Sequence, residues 1–505
     1  MTALEIGAEP MTVNRLVELA RSGGPYRLAD DAIDRIVAGR RVVDELLRSE
    51  TPVYGLNTGV GSQKAYPVEA ADVGQYNRRL VRAHATRLPG PELRPEVVRG
   101  VLLLLLQQFA TGHAGVSPEL AELVARHASS TELPRIDAAG SVGASDLVPL
   151  SQLATWLFDR PDAAGVPQAK DALAFINSNA VSLASGAFRL ADLALVMDLF
   201  DIAATTTFEG FRANLGAIGE PVNAVHHRGH QRSVAERLRA MLDGSLLWEA
   251  GQARLLQDPL SFRNVTQIHG ALRESSDRVV TVWNEELNSV AVNPIVHDGE
   301  PTFSSHGNMD TTRITLAVDS CRQAVAKAAD VSGERIHKLQ WPNFSGLPVG
   351  LAGEESPAGG VQFLNLGHIA ASLITSVKIW AQPHLLHSVG QVADGVEDTA
   401  SHALHAVHDL ERQLTACLTV VATEIAVAVW AIDRRGLTPS DLGAVPRRVF
   451  ETVRPHLPIG TEGDAVFDVA SVVSVLPDLA DAAAAITTSD AGHNRGGTAP
   501  EGTRT

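Results

Sequence analysis

Apolar residues recur three and four positions apart over most of this chain, the spacing of a helix face rather than of a strand. The pattern is strongest over Val181–Thr207, Ser233–Leu242, Thr311–Val331, Val361–Trp380 and Thr399–Ile432. The last two are long and their apolar stripes are broad, as in helices that pack on more than one neighbour. Residues 10–50 carry Leu16, Leu19, Ile33, Ile36, Val43 and Leu46 at helical spacing, and helices are expected again over Asp72–Ala83 and Glu96–Ala110. Two stretches break the pattern: the Gly-rich Thr51–Lys64, and Glu132–Pro149, after which Leu150, Leu153 and Trp156 resume it. Few segments alternate as strands do. The pattern predicts an all-α protein with a central bundle of long helices. The expected organisation is an N-terminal domain over 1–180, a helical bundle over 181–483, and a Gly-, Thr- and charge-rich tail over 484–505 without structure. No internal repeat is visible.

Composition narrows the partners. The chain has 505 residues and a net charge of −16, with no basic stripe, which argues against nucleic acid. A single local arginine can still bind an anionic small molecule. The apolar run Val101–Phe109 is too short for a bilayer, which takes ~20 residues, and reads as a buried helix. No membrane partner is expected. Two distant cysteines, Cys321 and Cys417, make no disulfide framework. The N-terminus lacks a basic region followed by an apolar run. A reducing cytoplasm is the expected location.

The chemistry lies in short motifs. Gly140-Ser141-Val142-Gly143-Ala144-Ser145-Asp146-Leu147-Val148-Pro149-Leu150 is the most specific. Tyr54-Gly55-Leu56-Asn57-Thr58-Gly59-Val60-Gly61 precedes it, and Lys170-Asp171-Ala172-Leu173-Ala174-Phe175-Ile176-Asn177 and Gln257-Asp258-Pro259-Leu260-Ser261-Phe262-Arg263 follow. Read together and in this order, they resemble the aromatic amino acid ammonia-lyases and aminomutases over nearly the whole chain. The resemblance implies a fumarase/aspartase-like helical fold. It also implies a homotetramer whose active sites form where three subunits meet, so the Tyr54 loop and the Arg263 region of one site come from different chains.

In that family an Ala-Ser-Gly triplet cyclises with loss of two waters to methylidene-imidazolone (MIO), an electrophile made from the chain itself. Here Ser145 runs directly into Asp146, so the triplet is Ala144-Ser145-Asp146 and the loop is one residue short. Cyclisation would require the Asp146 nitrogen to attack past its own Cβ, where glycine offers no obstruction. A shortened loop without cofactor is the outcome the steric argument favours; cyclisation despite the aspartate stays open.

The resemblance assigns the remaining roles. Tyr54 matches the general base; a phenol, with an ordinary pKa near ~10, is a strong base for a weakly acidic Cβ proton. His84, in Arg82-Ala83-His84-Ala85, lies where the substrate ring packs, and Ala83-His84 is nearer to the Ser-His of histidine lyases than to the pairs of tyrosine and phenylalanine lyases. Asn177 and Asn308 match substrate-side amides, and Gln257 with Arg263 matches the grip on the substrate carboxylate, which a planar guanidinium holds bidentately.

Other positions depart from the family. Leu260 replaces an active-site Tyr, Met309 a ring-packing Phe, Ser376 an amine-side acid, Val292 an Asp and Val396 a Gln. The expected activity is a carbon–nitrogen lyase or aminomutase on an aromatic or histidine-like amino acid. The alternatives are a MIO-independent elimination, addition or cyclisation on a carboxylated small molecule, or a silent paralogue. His226-His227-Arg228-Gly229-His230 lacks the Cys or acidic partners of a metal site, and Gly59-Val60-Gly61 lacks a third glycine and a preceding strand for a nucleotide. No metal or nucleotide cofactor is expected.

Overall fold

The computed structural model describes residues 3–49, 52–69, 72–226, 229–297, 302–352, 361–387, 390, 392–459 and 466–493. Helices dominate, as the apolar spacing requires. Those expected from the pattern form over Val73–His84, Pro95–Phe109, Leu147–Phe158, Ala180–Phe211, Gly229–Met241, Thr312–Gln340, Val361–Ile379 and Ala403–Arg434. The chain forms two compact units, one of residues 1–191, 278–319 and 383–409, the other of 192–277, 320–382 and 410–505.

Three differences from the sequence reading have local causes. Residues 10–50 are not continuous helix: Val13–Ser22 ends on Gly23 in the left-handed region, and Tyr26–Leu28 pairs in parallel with Leu4–Ile6 before the helix Asp30–Arg48 begins. Val265–Glu286 is a 22-residue helix that polar residues on its outer faces disguise. Leu476–His493 is helical into the stretch expected to lack structure, because the run Ala482–Ala485 favours helix; residues 494–505 lie outside the described residues.

In the first unit the core is built on Pro95–Phe109. Its Val101–Leu106 run is buried on every side, as expected for a helix apolar all round. A second cluster, Val43, Leu46, Val53, Leu56, Val73, Ala169 and Val296, binds the Tyr54 loop to the helices around it. The helices Ala180–Phe211 and Val265–Glu286 meet closely at Gly186. A Cβ there would lie 2.0 Å from Trp283 Cζ2, and the indole Nε1 donates to the Leu183 carbonyl at 3.0 Å. Only glycine admits that approach.

In the second unit a buried ion pair organises the core. Glu424 and Arg335 are both fully buried. Arg335 Nε and Nη2 donate to the two carboxylate oxygens at 2.5 and 3.0 Å. Ser332 and Thr207 hydroxyls donate to the same carboxylate at 2.5 and 2.9 Å. Every lone pair facing these donors is used, which makes so costly a burial tolerable. Cys321 and Cys417 are buried free thiols of this unit, and burial pushes both up to about 12.

By length and composition alone, three helical stretches among the described residues (171–211, 403–434 and 469–487) could cross a membrane. The most apolar windows of the first two are 78% and 83% buried, so their apolar surface is spent on the protein's own core; the third is 28% buried.

Glu424→Ala leaves the Arg335 guanidinium buried without its counter-charge. The expected loss is about 3–5 kcal/mol of stability in denaturant unfolding. Glu424→Gln, which keeps two polar atoms in place, is expected to lose less.

Candidate active site

The triplet loop is pinned from several sides, all within the first unit. Gly143 sits at φ 91°, and a Cβ there would lie 2.1 Å from Ser401 Oγ. Its carbonyl accepts from Ser401 Oγ at 3.0 Å and Thr311 Oγ1 at 3.2 Å, and the His402 amide donates to the Val142 carbonyl at 3.0 Å. Ala144 bridges Asp310 in antiparallel fashion, which brings the loop 305–310 alongside.

Ser145 takes the left-handed conformation, φ 72°, which a side chain adopts at a cost. Two amides hold it there. Its hydroxyl donates to Asn177 Oδ1 at 2.8 Å, and its amide donates to Asn179 Oδ1 at 3.2 Å. Asn177 Nδ2 continues to the Asn293 carbonyl at 3.1 Å, and Asn179 Nδ2 to the Met309 carbonyl at 2.8 Å.

Asp146 is fully buried. Its carboxylate accepts from the Ser182 amide and hydroxyl, both at 2.7 Å, at the start of the helix Ala180–Phe211. Its own amide donates to the Ser178 carbonyl at 2.8 Å. Burial raises its carboxyl, and the bonds from Ser182 and Ser141 partly offset that. These contacts do not fit a cyclised triplet. The nitrogen that would attack the Ala144 carbonyl is committed to Ser178. The Cβ beside it carries a carboxylate anchored on another helix, where the ring-forming residue should be small and free.

The segment that delivers Asn177 is anchored by two buried charges. Asp171 accepts from the Ser117 amide and hydroxyl at 2.8 and 2.7 Å. Lys170, also fully buried, donates from Nζ to the Pro294 carbonyl at 2.8 Å, and burial brings its ammonium down to about 7.

The Tyr54 loop is built by its neighbours. Val53 and Leu56 sink into the core cluster, which leaves Tyr54 half-buried at the surface of the turn. Asn57 Oδ1 closes the turn on the Val53 amide at 2.6 Å, and the Gly61 amide donates to Tyr54 Oη at 3.0 Å, fixing the ring. Tyr76, from the helix Val73–His84, is a second phenol here. Burial raises its pKa, and the charge of Tyr54 raises it further. His84 ends the same helix, bonds the Leu80 carbonyl through Nδ1 at 2.9 Å, and faces Glu397, whose carboxyl burial raises.

The residues that the resemblance assigns to a carboxylate grip belong to the second unit. Arg263 Nε donates to the Asp258 carbonyl at 2.7 Å. With the Gln257 amide turned so that its oxygen faces the guanidinium, both Nη atoms donate to it at 3.1 Å. Burial raises the Asp258 carboxyl, with Arg254 and Arg263 opposing. Leu260, where the family's Tyr would stand, is 58% exposed and offers no polar atom.

The structure thus joins Ala144, Ser145, Asp146 and Asn177 with the loop that carries Asn308. It holds Gln257 against Arg263 and sets Tyr54 and His84 on adjoining elements of the first unit. The sequence reading had missed Asn179, Thr311, Ser401, His306 and Tyr76. Asn179 stood in view as part of a departure from the family after Asn177, and His306 as one within the motif that carries Asn308. The others are polar residues distant in sequence, with no spacing to betray them. Among the described residues no cluster of three or more His, Cys, Asp or Glu has metal-binding geometry; His227 and Arg228 of the histidine-rich segment lie outside those residues.

Comparison with known proteins places the chain among amino acid lyases and aminomutases in sequence and fold. A histidine ammonia-lyase of Symbiobacterium thermophilum is 30% identical over 478 residues, covering 90% of this chain and 93% of its own. The ergothioneine-degrading ergothionase of Treponema denticola, crystallised with desmethyl-ergothioneine sulfonic acid, superposes with a TM-score of 0.87 at 25% identity, covering 96% of this chain and 99% of its own. The tyrosine aminomutase of Streptomyces globisporus shares the fold, with a TM-score of 0.85 at 22% identity over 97% and 99% of the two chains. This is the fumarase/aspartase-like helical fold. The family model for aromatic amino acid lyases matches residues 11–455, and the chain belongs to that family.

Proposed function

We propose that this protein is a carbon–nitrogen lyase acting on a histidine-like α-amino acid, and that its Ala144-Ser145-Asp146 triplet stays open. The observation that carries the lyase reading is the pairing of a retained base and a retained carboxylate grip within a family match over residues 11–455. Tyr54 is oriented by the Gly61 amide, and Arg263 is held in shape by Asp258 and Gln257. A silent scaffold has little use for either.

In this reading Arg263 binds the substrate carboxylate bidentately, and Gln257 keeps the guanidinium plane aligned. Tyr54 takes the β-proton as the bond from Cα to nitrogen breaks, and the electron pair of the broken C–H bond becomes the new C=C bond. His84 lies on the ring side, and Asn177 and Asn308 place the amine. The grip and the base lie in different units, and we assign them to different chains of a homotetramer. Exposed Leu256, Leu260, Trp341 and Phe344 in the second unit support an assembled state. A cytoplasmic location accords with the two free thiols.

The departing nitrogen decides between two substrate types. An open triplet cannot convert a primary amine into a better leaving group. A quaternary ammonium leaves as a neutral tertiary amine without such help. Similarity to the ergothionase favours this second reading, because ergothioneine is a histidine-derived betaine of that kind. An aminomutase is less compatible with it, since a released tertiary amine has no electrophile to hold it for return.

The test offers histidine, tyrosine, phenylalanine and the trimethylammonium betaines of histidine and thiohistidine to the purified protein. Ring-conjugated alkene absorbance is followed together with the amine released. We expect alkene and trimethylamine from a betaine; alkene and ammonia from histidine would support the lyase and reject the open-triplet preference. No product from any of them would remove the lyase reading.

Tyr54→Phe is expected to lower kcat by about 10²-fold or more, the usual scale of a lost general base. Arg263→Gln is expected to lower kcat/KM by roughly 10²-fold, mostly through KM, because a charge-assisted pair is lost in ground and transition states alike.

A further inference from the structure

We propose that His306 is a positioning residue of the active site, and that its neutral Nε2–H form locks the Asn308 loop onto the triplet network. The motif Ser305-His306-Gly307-Asn308-Met309-Asp310 resembles the family's Ser-Gly-Gly-Asn-Phe-His, which has glycine at the second position, so nothing in the resemblance assigns His306 a role. The geometry does. His306 Nε2 lies 2.9 Å from the Val292 carbonyl, to which it can only donate. Its Nδ1 lies 3.0 Å from the Asn308 amide, from which it can only accept. One tautomer satisfies both bonds, the neutral ring with its proton on Nε2.

The backbone of His306 completes the link. Its amide donates to Asn293 Oδ1 at 2.9 Å, and the Asn293 carbonyl accepts from Asn177 Nδ2 at 3.1 Å. Asn177 in turn accepts from Ser145 Oγ at 2.8 Å. An unbroken path therefore runs from the triplet serine through Asn177, Asn293 and His306 to Asn308. A second path, from the Ser145 amide through Asn179 to the Met309 carbonyl, pins the far side of the same loop.

Protonation of His306 at Nδ1 replaces an acceptor by a donor facing the Asn308 amide, and the loop loses that bond. The surroundings oppose protonation. Burial lowers the pKa of the imidazole, the positive charge of Lys170 lowers it further, and the bond to Val292 works the other way. Among the described residues, other ionisable groups near the loop have their own partners. His113 bonds the Val296 carbonyl at 3.0 Å and His297 bonds Ser304 Oγ at 2.7 Å. At the loop's end, Asp310 and Arg313 act on Glu286, which burial raises to about 7. For a base whose folded pKa lies below its unfolded value, the contribution to order is complete above about pH 6.5, the unperturbed value, and is lost as pH falls below it.

Two substitutions separate the bonds. In His306→Asn the side-chain oxygen can stand in for Nδ1 and cannot take up a proton. In His306→Gln the longer amide reaches towards Val292 and leaves the Asn308 amide without its acceptor. Hydrogen exchange of the peptide over 303–311, corrected for intrinsic rates, is compared at about pH 8 and about pH 5.5, either side of the imidazole range. We expect wild type to be protected only at the higher pH, His306→Asn at both, and His306→Gln at neither. Equal protection in wild type and His306→Gln at the higher pH, or an acid response in His306→Asn equal to that of wild type, would overturn the proposal.

The activity arm rests on the lyase reading. There His306→Gln should lose roughly 100-fold in kcat/KM, the scale of a misplaced substrate contact, and His306→Asn should lose the acid limb that wild type shows. Exchange that responds as expected with turnover indifferent to both variants would keep the loop lock but overturn its role in the active site.

Discussion

The first unit's site depends on one buried carboxylate. Asp146 lies at the start of the helix Leu147–Phe158, while its side chain bonds the Ser182 amide and hydroxyl in the first turn of Ala180–Phe211. A negative group at a helix N-terminus is favourable, and two short bonds offset much of the cost of burying it. The triplet loop is fixed at its end by that anchor. Ser145 must then turn the chain in the left-handed region, and Asn177 and Asn179 supply the bonds that hold it. With one residue fewer than the family pattern, the loop trades freedom around the triplet for a rigid attachment at Asp146.

That trade separates two functions the family combines. In the proposed reading the acid–base and carboxylate-binding parts need only side chains placed on stable elements, as Tyr54 and Arg263 are. Val53 and Leu56 hold the Tyr54 turn in the core, and Asp258 with Gln257 shapes the Arg263 guanidinium. The electrophile needs a backbone able to fold on itself, and in the proposed reading the bonded Asp146 amide opposes that. A substrate that brings its own leaving group resolves the conflict. The proposed betaine preference therefore follows from a backbone constraint, not from the shape of a ring pocket.

Much of this was legible in the sequence, for physical reasons that differ by element. The long helices could be read because their apolar stripes are broad. The helix Val265–Glu286 could not, since its polar residues outnumber the stripe that packs it. Tyr54, Asn177 and Arg263 could be proposed as site residues because the motifs around them are recognisable. The missing glycine was visible as a gap between Ser145 and Asp146. What the gap does was not, because that depends on Ser178 and Ser182, more than thirty residues further on. Residues such as His306, Thr311 and Ser401 act through a few bonds, mostly to backbone atoms, which leave no periodic trace.

The central claim is that the Ala144-Ser145-Asp146 backbone remains uncyclised, and intact mass spectrometry of the purified chain tests it most directly. An open triplet predicts the mass of the encoded sequence, with an unmodified peptide spanning Gly140 to Leu150. A chain lighter by two waters, with the loss mapped to Ala144–Asp146, would show that the electrophile forms despite the aspartate and would contradict the account.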